Sequence, residues 1–318
     1  MDKWIDIIKY ANNGNAKPDR RVEKTDEEWK ALLTPEQYRV TRQQGTEPAH
    51  SSDMCSKFEP GIYALLGPNG SGKSTFMNIL VDNLKRTEGT ILCDGTEILS
   101  LGKHYRKRIG FLPQKAGFYP NFTGRDFLYY ICALKGIKKD KEKMVSQLSE
   151  KVNLNDVIDN KISTYSGGMK QRLGIAQAFI GEPELIVLDE PTVGLDPKER
   201  MHFKNMLMDA GKNSIVILST HIVSDVDEIG KTVLLLKNGQ LIKNDLQENI
   251  TKELEGAVWK IEDKYLDYVN KKQIIKTITE KEKTYCIVYD KKQPIKEAVS
   301  QTPSLDDVYF YYFGEGNQ

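Results

Sequence analysis

A glycine-rich loop between an apolar run and a helical pattern constrains the fold most strongly. Residues 61–66 read as a short buried strand, and residues 67–75 follow as Gly-Pro-Asn-Gly-Ser-Gly-Lys-Ser-Thr. Glycines let the backbone N–H groups of such a loop converge on one point, which also faces the positive end of the following helix dipole. The stretch therefore predicts a P-loop, a cradle for phosphate.

Two side chains of this loop have defined chemical tasks. Lys73 has the reach to contact β- and γ-phosphates, and the hydroxyl of Ser74 is placed to ligate Mg²⁺. A chance match to the bare pattern is expected in roughly one random chain in a hundred of this length, and the flanking strand and helix lower that further. The predicted nucleotide-binding residues here are Gly67, Pro68, Asn69, Gly70, Ser71, Gly72, Lys73, Ser74 and Thr75.

Composition excludes several classes of function. The 318 residues have room for one large or two modest domains, and a net charge of +1 gives no electrostatic footprint for nucleic acid. The longest apolar runs, such as residues 127–134, are far shorter than a bilayer span, and the N-terminus has no apolar signal region, so we expect any membrane role to go through a partner. Scattered cysteines indicate neither a zinc site nor a disulfide framework: Cys55, Cys93, Cys132 and Cys286.

Strand and helix patterns alternate from Ile62 to Leu241, which predicts an α/β fold with a mostly parallel sheet. A hairpin is predicted around Asp94 and Gly95. Residues 118–165 are predicted to form a helical insert. Residues 184–189 and 215–220 read as buried strands that end in polar groups, at the edge of a parallel sheet where ligands bind.

Polar motifs follow the P-loop in a fixed order, and their members are Gln114, Ser166-Gly167-Gly168, Asp189-Glu190, Gly194-Leu195-Asp196 and His221. Together with the P-loop they resemble the motifs of ATP-binding cassette (ABC) ATPases, over about residues 61–244. The likeness is strongest to ATPase subunits of the ABC-2 exporter kind, which often read Tyr-Ser-Gly-Gly-Met-Lys-Gln-Arg, as residues 165–172 do. Such subunits often end in a Pro-Ser-Leu-Asp-Asp-Val-like segment, here residues 303–308.

Hydrolysis of ATP needs charge neutralisation on the γ-phosphate and an oriented water. In this resemblance Ser74 is a direct ligand of Mg²⁺ and Asp189 acts on the metal through water. Glu190, which we expect to alternate to the other side of the strand end, is the candidate general base. His221 is expected to contact the γ-phosphate and hold Glu190, and Gln114 to reach the metal or the water.

The Ser166-Gly167-Gly168 turn is predicted to be a second anion-binding turn at a helix N-terminus. In the family such a turn completes the site of another protomer, so the resemblance implies an ATP-dependent homodimer or a pair with another ABC ATPase, with Asp196 near the interface. It also implies a transmembrane permease subunit as partner and a cytoplasmic location, peripheral at the inner face of the cell membrane.

Residues 1–60 depart from the cassette pattern. They read as helical, and residues 18–29, 33–38 and 51–63 resemble the N-terminal part of methionine-R-sulfoxide reductase, without its zinc-binding CxxC pairs or its distal nucleophilic cysteine. We expect a junction near residues 61–63 and treat Cys55 as an inert thiol. Two strands and an adenine-stacking aromatic of the cassette are missing, and Tyr38 is not assigned the stacking role. The lost stacking is expected to weaken ATP binding by about 1–3 kcal/mol, and the missing strands are expected to leave an unpaired sheet edge.

Residues 245–318 are predicted to form a small α/β accessory domain. Strands are predicted at 258–261 and 284–289 with charged helical segments between them, and the aromatic run 306–313 is expected to be core or dimer contact. The sequence thus predicts the ATPase subunit of an ABC exporter. The alternatives are a nucleotide-dependent interaction module that does not hydrolyse ATP and, with little support, a methionine-R-sulfoxide reductase.

Overall fold

A computed structural model describes residues 60–223, 226–227, 229–280 and 282–314. The predicted helical, reductase-like segment lies outside the described residues apart from Pro60, as do Tyr38 and Cys55. No described helix combines the length and apolar character that a membrane crossing needs.

The described strands are β1 Gly61–Leu66, β2 Leu92–Cys93, β3 Thr96–Glu97, β4 Ile109–Leu112, β5 Leu185–Asp189, β6 Ile215–Thr220, β7 Thr232–Lys237, β8 Gln240–Leu246, β9 Val258–Glu262, β10 Ile274–Glu280, β11 Lys283–Tyr289 and β12 Val299–Ser300. The described α-helices are α1 Lys73–Leu80, α2 Ile98–Leu101, α3 Lys103–Lys107, α4 Gly124–Lys135, α5 Lys141–Lys151, α6 Gly167–Ala178, α7 Pro197–Ala210, α8 Gln247–Lys252 and α9 Leu305–Phe313. Short 3-10 turns cover Asn155–Val157, Ile162–Thr164, Asp263–Tyr268 and Lys271–Gln273.

The main sheet has the strand order β4-β5-β6-β1-β7-β8. Every neighbouring pair is parallel except β7 and β8, which pair antiparallel. The central strands are near-continuous apolar runs, as parallel strands covered on both faces require, and β5 is buried at every position. The prediction of an α/β fold with a mostly parallel sheet is confirmed.

The carboxyl ends of the central strands meet at one edge of this sheet. Leu66 at the end of β1 pairs with Thr220 of β6, and Asp189 at the end of β5 pairs with Ser219 of β6. The P-loop follows β1, the acidic pair follows β5 and His221 follows β6. The register therefore brings the P-loop, Asp189 and His221 to the edge where ligands of open α/β sheets bind.

The helical insert consists mainly of α4 and α5, within the predicted range 118–165. Thr123 begins α4 with a capping box, in which its hydroxyl accepts a hydrogen bond from the N–H of Asp126. Gly136 ends this helix in the left-handed conformation, with φ of 74°. The lysine-rich helix predicted around residues 141–151 is α5.

Residues 86–102 belong to a different compact unit from residues 60–85 and 103–314, and in them β2 and β3 make the predicted hairpin. Asp94 and Gly95 are its two turn residues, with φ of 51° and 79°. Positive φ at both positions is typical of the type I′ turn, whose twist matches that of the strands. Within the unit the guanidinium of Arg86 lies 2.5 Å from a carboxylate oxygen of Glu97.

The C-terminal part contains a second sheet, in which β10, β11, β9 and β12 pair antiparallel in that order. Two of these strands were predicted, but the expectation of only charged helical segments between them is wrong, because β10 lies there. Its run of Ile and Thr residues favours a strand. The aromatic run at the end of the chain was expected to contact the core or a dimer partner. The side chains of α9 that pack against the core are Tyr309, Tyr311, Tyr312 and Phe313.

One apolar core connects the two sheets. Its buried side chains extend from Ile62 and Leu66 of β1 to Val258 of β9 and Val308 of α9. The predicted domain boundary at residue 244 falls inside β8, and the division into a cassette and an accessory domain stays a prediction.

Candidate functional site

The P-loop curls tightly between β1 and α1. Gly70 and Gly72 have φ of 80° and 102°, values that side chains disfavour. The N–H of Ser71 donates to the carbonyl oxygen of Pro68 at 3.1 Å, which closes the turn. A side chain at Gly67 would place its Cβ 2.3 Å from the carbonyl oxygen of Leu236, so only glycine lets the loop lie against β7.

Lys73 points back into this loop. Its ammonium donates to the carbonyl oxygens of Gly67 at 2.5 Å and Pro68 at 3.1 Å, and the residue is only 7% exposed. Burial lowers the pKa of Lys73, while the nearby charges of Glu190 and Asp189 act in the opposite direction. A buried cation next to the loop is what a bound phosphate requires.

A second observation fits the loop to phosphate. The hydroxyl of Ser71 is buried and has no hydrogen-bond partner. A buried polar atom without a partner costs about 1–3 kcal/mol, and a phosphate oxygen would satisfy it. The loop thus combines an unsatisfied donor, a cation and converging backbone amides.

Asp189 ends β5, which is separated from β1 by β6 along this edge. It is 2% exposed, and its Oδ1 accepts a hydrogen bond from the hydroxyl of Ser219 at 2.5 Å. With the half-buried Ser74, it gives the site oxygen donors, the type that Mg²⁺ binds, and Mg²⁺ commonly takes only one or two protein ligands. The donor set therefore suits this ion.

Glu190 follows Asp189 and contacts His221. Its Oε2 lies 2.8 Å from Nδ1 of His221, and Glu190 is 6% exposed whereas the His221 side chain is half exposed. The strand ends at Asp189, and Glu190 has φ of 51°. Glu190 therefore leaves the strand through the left-handed region, so the predicted alternation along the strand does not describe it.

Hydrogen bonds hold the Glu190 peptide on both sides. Its N–H donates to the carbonyl oxygen of Ser219 at 3.1 Å and approaches the Ser219 hydroxyl at 3.3 Å. Nε2 of Gln171 on α6 donates to the carbonyl oxygen of Pro191 at 2.8 Å and lies 3.5 Å from that of Glu190. A left-handed non-glycine residue costs of order 1–3 kcal/mol and persists when its surroundings over-determine it.

The other predicted residues lie at separate places. Gln114 is exposed two residues after β4 and, among the described residues, makes no hydrogen bond to the carboxylates. Ser166 begins α6 by accepting a hydrogen bond from the N–H of Met169 at 3.2 Å. A Cβ on Gly168 would lie 3.1 Å from the carbonyl oxygen of Gly194, so this turn approaches the Gly194-Leu195-Asp196 segment. Asp196 caps α7 through the N–H of Glu199.

Sequence reasoning missed two residues at the site, Ser219 and Gln171. Ser219 is fully buried yet polar, in a strand that is otherwise apolar up to Leu218. A hydroxyl two residues before His221, at the edge that carries the acidic pair, was the available signal. Gln171 had no comparable signal, because a glutamine on a helix is ordinarily solvated.

Comparisons with known proteins agree with this geometry. A family model described as ABC transporter matches residues 54–193, beginning upstream of the junction predicted near Gly61. The uncharacterized ABC transporter ATP-binding protein YxlF of Bacillus subtilis is 34% identical over 266 residues, which cover 77% of this chain and 88% of that protein. The bacitracin transport ATP-binding protein BcrA of Bacillus licheniformis is 35% identical over 206 residues, 64% of this chain and 67% of that protein.

A solved structure is similar as well. The ATP-binding subunit of an ABC transporter superposes with a TM-score of 0.57 and 26% identity, covering 61% of this chain and 82% of that chain. ABC ATP-binding subunits generally pair with transmembrane permease subunits. This chain belongs to the ABC transporter ATP-binding proteins, and it is an ATPase that binds ATP as the nucleotide-binding part of an ATP-driven transporter.

Proposed function

We propose that this chain powers export through an ABC-2-type permease, with Glu190 as the general base for ATP hydrolysis. The contact between Glu190 and His221, next to the buried ammonium of Lys73, supports this most directly. The transported substrate is chosen by the permease.

Each side chain has a defined task in this proposal. Lys73 neutralises charge on the β- and γ-phosphates, and Glu190 takes the proton of the attacking water on a carboxylate oxygen. His221 uses Nδ1 to hold Glu190, which leaves Nε2 for the γ-phosphate. Ser74, Asp189 and Gln114 would hold Mg²⁺, directly or through water. When bound, Mg²⁺ neutralises charge on the phosphate oxygens.

We propose that the chain acts as a dimer, with itself or with another ABC ATPase. Ser166 and Gly167 are exposed at the start of α6, where a helix N-terminus favours an anion. These residues and Gly168 then complete the site of the other protomer, with Asp196 near the interface. The dimer works at the inner face of the cell membrane, to which the permease partner holds it.

We further propose that residues 1–60 derive from a methionine-R-sulfoxide reductase, that residues 61–244 are the cassette, and that residues 245–318 are an accessory domain. The first segment lacks the cysteine chemistry of the reductase family, so we expect no reductase activity. An assay that couples sulfoxide reduction to oxidation of a reductant tests this, and turnover above background would contradict it.

Glu190→Gln tests the hydrolytic proposal. The glutamine keeps the size and the contact to His221 but accepts no proton at neutral pH, so we expect phosphate release to fall by roughly 10²–10⁴-fold while ATP stays bound. Steady-state phosphate release and nucleotide retention on a desalting column are measured for the parent and the variant.

Glu297→Gln, at an exposed position, is the matched control and should turn over ATP like the parent. Undiminished turnover in Glu190→Gln would exclude Glu190 as the base. If the parent itself binds ATP without releasing phosphate, the chain is the non-hydrolysing interaction module instead.

A further inference from the structure

Ser219 has a hydroxyl in a place where the fold does not need one. The residue is fully buried near the end of β6, and the two positions before it on the strand are Ile217 and Leu218. Its backbone pairs with Asp189 in the parallel ladder, as Leu218 pairs with Leu188. An apolar residue at this position would leave that ladder intact.

The hydroxyl instead joins the two acidic residues of the site. It donates to Oδ1 of Asp189 at 2.5 Å, and the N–H of Glu190 approaches the hydroxyl oxygen of Ser219 at 3.3 Å. The N–H of Glu190 is already satisfied by the carbonyl oxygen of Ser219 at 3.1 Å. The bond to Asp189 is therefore the contact that only the hydroxyl supplies.

We propose that Ser219 is a positioning residue for ATP hydrolysis, whose hydroxyl fixes the orientation of the Asp189 carboxylate for the metal. This rests on the proposed role of Asp189 as the metal carboxylate. Partners that orient a metal-binding carboxylate are part of a metal site, and their loss commonly costs 10–100-fold in affinity or activity.

The orientation of this carboxylate matters because Asp189 is 2% exposed and its Oδ1 accepts the hydrogen bond of the Ser219 hydroxyl at 2.5 Å. Without the hydroxyl, that buried oxygen loses this partner, and the Asp189 side chain is no longer held toward β6 by this hydrogen bond. The cost then falls on the binding of Mg²⁺ and on the turnover that depends on it, not on the phosphate loop.

The test uses the full chain and a non-hydrolysable ATP analogue, with Ser219→Ala, Ser219→Thr, Ser219→Val and Asp189→Asn. The dissociation constant of the analogue is measured by calorimetry with and without Mg²⁺, and kcat and KM are measured with ATP. We expect Ser219→Ala to reduce the Mg²⁺-dependent gain in affinity and kcat by about tenfold, with the affinity in the absence of Mg²⁺ unchanged. Ser219→Thr keeps the hydroxyl and should keep both quantities at the parent's values. Ser219→Val has the shape of threonine without the hydroxyl and should lower both, like Ser219→Ala.

The outcomes distinguish this proposal from the one on which it rests. If Asp189→Asn leaves the Mg²⁺ dependence unchanged, Asp189 is not the metal carboxylate and both proposals fail. If Asp189→Asn abolishes that dependence but Ser219→Ala behaves like the parent, only the role of Ser219 fails. Thermal unfolding without nucleotide is measured on the same samples, and a Ser219→Ala chain that no longer folds would show a structural role and overturn the proposal.

Discussion

Replacing Lys73 with methionine should remove the response to ATP while leaving the ATP-free protein nearly as stable as before. The variant loses two charged hydrogen bonds, to the carbonyl oxygens of Gly67 and Pro68, of about 1.5–3 kcal/mol each. It also no longer buries a cation. The pKa of Lys73 is lowered, which means that the cost of burying its charge exceeds the attraction of Glu190 and Asp189, so this loss favours the variant. These opposed contributions should balance to within about 2 kcal/mol, or about 4 °C in Tm at roughly 2 °C per kcal/mol for a chain of this size.

The response to ATP should change much more. A ligand at a hundred times its Kd stabilises the folded state by about 2.7 kcal/mol, which is about 5 °C on the same scale. Methionine cannot attract the β- and γ-phosphates, so that shift should disappear. Thermal unfolding with and without Mg²⁺ and ATP measures it, and Lys252→Met, at an exposed position on α8, should keep the full shift. A Lys73→Met protein whose Tm rises with ATP as much as the parent's would refute the assigned role of this lysine.

Two further lysines give stability predictions that urea unfolding can check. Burial lowers the pKa of Lys135 from 10.5 to about 8; between these values the unfolded chain binds more protons, so stability rises with pH there, and Lys135→Met should remove about 3 kcal/mol of that rise. Equal pH slopes in parent and variant would contradict this. The ammonium of Lys276 lies 2.8 Å from the fully buried carboxylate of Asp307, so Lys276→Met should cost about 3–5 kcal/mol by leaving that charge unpaired. The exposed Lys291→Met should cost little, and a Lys276→Met protein as stable as the parent would show that the pair does not hold α9.

The main sheet could be predicted because its strands are short apolar runs with polar residues at their carboxyl ends. Burial of both faces and parallel pairing follow from that pattern. Because the carboxyl ends of parallel strands share one edge, the pattern also predicts that Asp189 and His221 lie at the same edge. The P-loop was predictable for a similar reason, since its glycines and Lys73 have few other uses in this arrangement.

The missed features depend on tertiary contacts or on weak local signals. The φ of Glu190 cannot be read from its neighbours, because it is stabilised by Ser219, which is distant in sequence. The strand β10 was hidden by its charged residues, although its Ile and Thr content favoured a strand. Gln171 reaches the Pro191 carbonyl only once α6 packs against β5.

The unfavourable local features of this fold gather at one edge. The left-handed Glu190, the unsatisfied hydroxyl of Ser71 and the buried ammonium of Lys73 all follow the ends of β1 and β5. The first two cost about 1–3 kcal/mol each. A buried Leu, Ile or Val side chain contributes about 1.5–3 kcal/mol, so the four apolar residues of β5, 185–188, offset the strain of the edge that they support. Local strain is expected at a ligand-binding edge when selection acts on chemistry and not on stability alone, and here the buried apolar strands compensate for it.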